Sequence, residues 1–156
     1  MELYNTRSFE EMGLGHLNFV QDNFSSSTRG TIRGIHFQRP PHAQGKLITA
    51  LQGSVLDIAV DLRQSSPTYG QSFALEISAE APQFLYIPPG FGHGFQVLSE
   101  RCLFYYKCTD FYHRESDAGL AWDDPDLALP WADILPLLSP KDQQHPRLVD
   151  FDSPFL

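Results

Sequence analysis

The stretch "TIRGIHFQRPPHAQGKL" (31–47) gathers Arg33, His36, Arg39, His42 and Lys46 into a chain whose formal charge is −8. His36 stands between Ile35 and Phe37, an apolar setting that lowers the cost of a neutral ring. A neutral imidazole is a general base once something orients it. Lys46, ten positions on, supplies a cation able to hold developing negative charge. Tyr105 and Tyr106 supply phenols, one of which must point inward if the segment is a strand. A base, a cation and a phenol together suit proton abstraction next to a carbonyl, where an enolate has to be stabilised.

Each of these residues also has an ordinary structural role. A histidine in an apolar strand is commonly a core residue bonded to backbone, and single cations commonly sit at solvated strand ends. Ser139-Pro140-Lys141-Asp142 reads as a helix N-terminus, with proline at the first position and Asp142 closing a capping box. In that place Asp142 is still able to offer an oxygen to a histidine. A metal centre needs converging His and carboxylate ligands. His36 and His42 are six apart, His93 is isolated and no H-x-H pair occurs, so no metal is expected. No serine or cysteine carries a nucleophile signature.

The elements that must position these groups are mostly strands. Strand-like pieces run over 16–22, 31–38, 46–51, 54–63, 72–78, 83–88, 92–98 and 101–112, parted by Pro/Gly turns. In "SVLDIAVDLR", Leu56, Ile58, Val60 and Leu62 alternate with Asp57, Ala59 and Asp61. Many short strands of this kind predict an all-β antiparallel sandwich or barrel such as a jelly roll. One short helix is expected near the start, capped at Ser8 and stopped by Gly13. The tail "WADILPLLSPKDQQHP" predicts one or two helical turns packed on the barrel. Arg33 and His36 differ by an odd number of positions, which on a regular strand places them on opposite faces. A bulge at Gly34 would turn both to one side.

A chain of 156 residues with 42% hydrophobic content fits one globular domain spanning 1–156. An acidic total without a basic run speaks against nucleic acid as partner. No apolar run is long enough for a membrane span, and "MELYNTRSFEEMG" lacks the regions of a signal peptide. Cys102 and Cys108 form no CxxC pair and read as buried free thiols, which implies a cytoplasmic protein.

The segments "FVQDN" (19–23), "IRGIHFQRPPHAQGKL" (32–47), "GSVLDIAVDLRQSSPTYGQ" (53–71) and "LYIPPGFGHGFQVLSE" (85–100) occur in this order. They are followed by "FYYKCTDFY" (104–112), "GLAWDDPDLALPW" (119–131) and "LSPKD" (138–142). Together they resemble the dTDP-4-dehydrorhamnose 3,5-epimerase family, and the likeness runs from about Glu2 to Asp142. The resemblance implies a cupin-type jelly-roll barrel, a homodimer, and a dTDP-4-keto-6-deoxyhexose as substrate, epimerised at C3 and C5 with no cofactor and no metal. It implies His36 as the base, Asp142 as the carboxylate that sets its tautomer, Lys46 at the enolate oxygen and Tyr106 as proton donor to the opposite sugar face. Arg33 matches the family's diphosphate ligand, and Gln21 and Asn23 match residues lining the nucleotide site. His93 and Asp57 match polar positions of the pocket.

Two departures bear on the outcome. "MELYN" resembles the end of the family's N-terminal segment, which implies a chain lacking the rest of it. Phe111 stands where many relatives carry a second aromatic hydroxyl, a change able to alter which carbon is epimerised. Three readings follow: a 3,5-epimerase, an epimerase acting at C3 or C5 only, or a non-catalytic barrel that binds sugar nucleotides.

Overall fold

The structure, a computed structural model, describes residues 2–156. One helix, α1 (Thr6–Glu11), precedes nine strands: β1 (Gln21–Thr28), β2 (Ile32–Gln38), β3 (Lys46–Gln52), β4 (Ser54–Asp61), β5 (Ser72–Ser78), β6 (Leu85–Ile87), β7 (Phe91–Val97), β8 (Arg101–Cys108) and β9 (Asp117–Gly119). They form two antiparallel sheets, ordered β1-β8-β3-β6 and β5-β4-β7-β2-β9. The expected jelly-roll sandwich is thus present.

Strand alternation decides what each face of a sheet meets. On β4, Val55 and Ala59 turn toward the opposing sheet and join a core with Ile48, Phe95 and Phe104. Ile58 and Val60 turn the other way and, with Leu62 just past the strand, pack with Ile35, Phe37, Leu120, Leu127 and Phe155. Both faces of this strand are therefore buried, the second because the chain after β9 folds over the outside of the five-stranded sheet. Cys102 and Cys108, both on β8, are buried free thiols as expected.

Three expectations are corrected. The helix is capped by Asn5, whose side-chain oxygen accepts from the Arg7 and Ser8 amides, rather than by Ser8. The stop is as expected: Gly13 follows with φ of +78°, a conformation that favours glycine. The first strand lies at Gln21–Thr28 rather than over 16–22. It is an edge strand paired only with β8; its inward positions Gln21, Asn23, Ser25 and Ser27 are polar and leave no apolar signal, while Phe24 is 73% exposed. The tail 131–146 holds turns and no helix. Its backbone is instead tied to β2: Ile32 N donates to Leu137 O and Leu137 N to Gly30 O, both at 2.9 Å. Short 3₁₀ turns occur elsewhere, at Arg114–Ser116 and Leu148–Asp150.

Candidate active site

The candidate residues converge between the two sheets. In register, Asn23 lies opposite Tyr106, which lies opposite Ile48, and Lys46 lies opposite Cys108. On the other sheet His36 lies opposite His93, which lies opposite Ala59. Alternation then places Gln21, Asn23, Tyr106 and Lys46 on one wall, with His36, His93 and Asp57 on the other.

Arg33 reaches the same side through the irregularity expected at Gly34. Arg33 pairs with Phe95 and His36 with His93, so three steps along β2 match two along β7. The extra residue is a bulge. Gly34 has φ of +133° there, and a Cβ on it would stand 2.4 Å from the Gly94 Cα. Glycine is required by both conformation and space.

Two adjoining cavities hold the site. One, of about 230 Å³, is lined by Gln21, Asn23, His36, Lys46 and Tyr106 among others. The second, of about 180 Å³, is lined by Arg33, His36, Lys46, His93 and Tyr106 with Phe95 and Phe104. His36, Lys46 and Tyr106 belong to both.

His36 Nε2 lies 2.5 Å from Asp142 Oδ1, and the carboxylate is 2% exposed. Asp142 is held from three sides. Ser139 Oγ donates to Oδ2 at 2.6 Å, the Asp142 amide donates to Ser139 Oγ at 3.1 Å, and the Gly34 amide donates to Oδ1 at 3.4 Å. The Ser139–Asp142 cap expected from sequence therefore exists, although no helix follows it. Burial pushes the Asp142 carboxyl up, but the hydrogen bonds from His36 and Ser139 outweigh it and hold the group at about 2. An ionised carboxylate accepts only, so His36 Nε2 carries the proton and Nδ1 is left as the basic nitrogen.

Burial lowers Lys46, with Cys108 and Asp57 opposing the shift. Burial raises Tyr106, with Cys108 adding to it and Arg33 opposing, so the phenol keeps its proton at neutral pH. His93 Nε2 donates to Asp57 Oδ2 at 2.8 Å. Asp57 is fully buried and reaches the cleft through that imidazole. Burial raises Asp57 and lowers His93, against their mutual attraction.

Gln21 Nε2 donates to Asn23 Oδ1 at 2.9 Å, and Gln21 Oε1 accepts from the Tyr112 amide at 3.0 Å. Of the two β8 tyrosines, Tyr106 faces the cleft, while the Tyr105 hydroxyl donates outward to Asp22. Sequence reasoning did not single out Tyr112, Asp117 or Lys141 on the cleft wall. The Tyr112 hydroxyl donates to Asp117 Oδ2 at 3.0 Å, and Lys141 pairs with the same carboxylate. Tyr112, next to the exposed Phe111, thus brings an aromatic hydroxyl to the cleft wall. Lys141 stands beside Asp142 in "LSPKD", a signal that was available.

The sequence model of dTDP-4-dehydrorhamnose 3,5-epimerase matches residues 1–150. The dTDP-4-dehydrorhamnose 3,5-epimerase of Pseudomonas aeruginosa is 50% identical over 153 residues, covering 97% of this chain and 83% of that protein. That of Shigella flexneri is 45% identical over 152 residues, covering 97% and 84%. A crystal structure of the dTDP-6-deoxy-D-glucose-3,5-epimerase of Legionella pneumophila, in complex with dTDP-4-keto-L-rhamnose, superposes with a TM-score of 0.90 at 45% identity. It covers 97% of this chain and 80% of that one. With a cupin-type barrel and a cleft built from the motifs quoted above, the chain belongs to the dTDP-4-dehydrorhamnose 3,5-epimerase family.

Proposed function

We propose that the cleft takes a dTDP-linked 4-keto-6-deoxyhexose and inverts C3 and C5 in turn, as in dTDP-rhamnose biosynthesis. The observation that carries this reading is the placement of His36 and Tyr106 on opposing sheets of one cleft, the imidazole backed by Asp142 at 2.5 Å. A sugar ring lying between them offers one face to a base and the other to an acid, which is the requirement for inversion. His36 Nδ1 removes the proton next to the C4 ketone, and the C–H electrons move into the ring to leave an enolate oxygen. Lys46 hydrogen-bonds that oxygen. Its buried position strengthens the interaction, because a low local dielectric screens it less. Tyr106 then gives its proton to the opposite face of the carbon. The resulting imidazolium and phenolate return to their starting states by exchange with solvent.

Arg33 is assigned to the diphosphate and Gln21 and Asn23 to the nucleotide side. His93, steadied by Asp57, lines the inner cavity beside His36 and Lys46. The chain is assigned to the cytoplasm, and among the described residues no helix is long and apolar enough to cross a membrane. A homodimer is the proposed assembly. The β1 edge with exposed Phe24 supports an interface there, and light scattering at a molar mass of two chains tests it.

Incubation with the keto sugar nucleotide in deuterated water tests the activity. Label at C3 and C5 is the expected result. Label at one carbon replaces the reading by single epimerisation, and dTDP binding without exchange replaces it by a non-catalytic barrel.

A further inference from the structure

We propose that His42, Asp110 and His113 form a second site, outside the catalytic cleft, for a divalent transition-metal ion of the zinc class. His42 lies just before β3, and Asp110 and His113 lie just after β8. The fold brings one donor atom from each to within 4.8 Å of the others. The two imidazoles stack with ring centroids 3.4 Å apart and planes 15° from parallel. His42 Nδ1 is 3.4 Å from Asp110 Oδ2. That contact is longer than the roughly 2.7–2.9 Å of a charge-assisted hydrogen bond, so the trio does not satisfy itself. The other Asp110 oxygen, Oδ1, is already taken by the Phe111 amide at 2.8 Å. Oδ2 is the oxygen left for a cation.

The site is also built from behind. The buried Gln38 amide donates to the carbonyls of His42 at 2.8 Å and Phe111 at 3.0 Å, and it accepts from the His113 amide at 2.6 Å. Gln44 Nε2 donates to the Asp110 carbonyl at 2.8 Å. Gly45 N donates to Thr109 Oγ1 at 2.7 Å, which ties the two loops together once more. The backbones of all three ligands are therefore held in place before an ion arrives, and little ordering entropy is left to oppose binding.

The donor set selects the ion. Two imidazoles and one carboxylate suit Zn²⁺, Ni²⁺ or Cu²⁺, whereas Mg²⁺ and Ca²⁺ prefer all-oxygen shells. Ligand atoms on tetrahedral zinc sit about 3.3 Å apart, as follows from Zn–N bonds of about 2.0–2.1 Å. The stacked rings lie in nearly parallel planes, so binding requires each ring to turn about its Cβ–Cγ bond until the donors, within 4.8 Å of one another, close to that spacing. The side chains of His42 and Asp110 are 35% and 32% exposed, which leaves room for that movement and for a water as fourth ligand. The other histidine cluster, His36–Asp142–His145, differs in this respect, because its 2.5 Å contact leaves no gap for an ion. Gln38, Gln44 and Tyr112 line the catalytic cleft, so an ion here would stiffen the cleft wall from outside.

Titration of the chelator-stripped protein with Zn²⁺ by calorimetry, paired with thermal melts, tests the site. The expected result is one ion per chain, a higher Tm with Zn²⁺ and none of either effect with Mg²⁺. His42→Ala and His113→Ala should each weaken Zn²⁺ binding by about tenfold or more, since even outer-shell changes cost that much. No saturable binding, binding unchanged in both variants, or binding lost only in His145→Ala each overturns the proposal. Should a variant fail to fold, X-ray absorption on the unaltered chain with one Zn²⁺ decides. Two imidazole ligands with substrate deuterium exchange retained support the site. Fewer imidazoles, or loss of exchange, refute it.

Discussion

His36 is basic at one nitrogen because Asp142 holds the other. That carboxylate stays ionised because three donors converge on it in a buried place. His36→Ala should abolish deuterium incorporation at both carbons, a loss of roughly 10²–10⁴-fold or more, read by NMR of the sugar. Asp142→Asn keeps the shape but can donate to the imidazole, which favours the wrong tautomer. Exchange should fall by about 10²-fold or more while dTDP affinity, measured by calorimetry, stays near the parent value. Equal loss of binding and exchange would instead mark Asp142 as a purely structural residue.

At the scale of the element, the bulge in β2 is what lets Arg33 and His36 share a face. Gly34→Ala would push a methyl against the Gly94 backbone at a positive φ. A loss of about 3 kcal/mol in urea unfolding is expected, together with loss of exchange, since relief of the clash must move His36. The turn after β4 is a second device. Asp61, 1% exposed, accepts from the Arg63 amide and guanidinium and from the Ser66 and Thr68 hydroxyls. These donors hold its carboxyl far below the usual range despite its burial. Asp61→Ala leaves them unpaired and should cost about 3 kcal/mol in the same measurement.

For the whole molecule, stability depends on pH through the link between the tail and β2. Asp142 sits at about 2 in the folded state against an ordinary value of 3.8. Its contribution is therefore complete above about pH 4 and is lost as the pH falls through about 2. The shift corresponds to about 2 kcal/mol. Urea unfolding at pH 5 and pH 2 should show the parent losing that much more than Asp142→Asn over the same interval. Between the sheets, Phe104 is 1% exposed and stacks on Phe95 with centroids 4.3 Å apart. Phe104→Ala should cost about 3–5 kcal/mol, and it opens the floor of the inner cavity that Phe104 lines.

The sequence by itself determined the strands whose alternation separates two environments, as in Val55 to Val60 of β4. The irregularity at Gly34 followed once motif likeness put Arg33 and His36 on one ligand, because their odd spacing on a regular strand would part them. These are local properties, carried by a period of two and by single glycines. It did not reveal the edge strand Gln21–Thr28, because the inward positions Gln21, Asn23, Ser25 and Ser27 are polar and leave no apolar face to announce it. Nor did it reveal that the tail lacks helix, because Leu137 bonds to Gly30 and Ile32 and those long-range partners replace helical ones. Motif likeness named His36, Lys46, Tyr106 and Asp142 one by one. Only the tertiary structure decided that a phenol on one sheet faces an imidazole on the other, and that two histidines and an aspartate meet beside β3 and β8. Such pairings arise when strands far apart in the chain come into register, and no local pattern of residues encodes the distance between them.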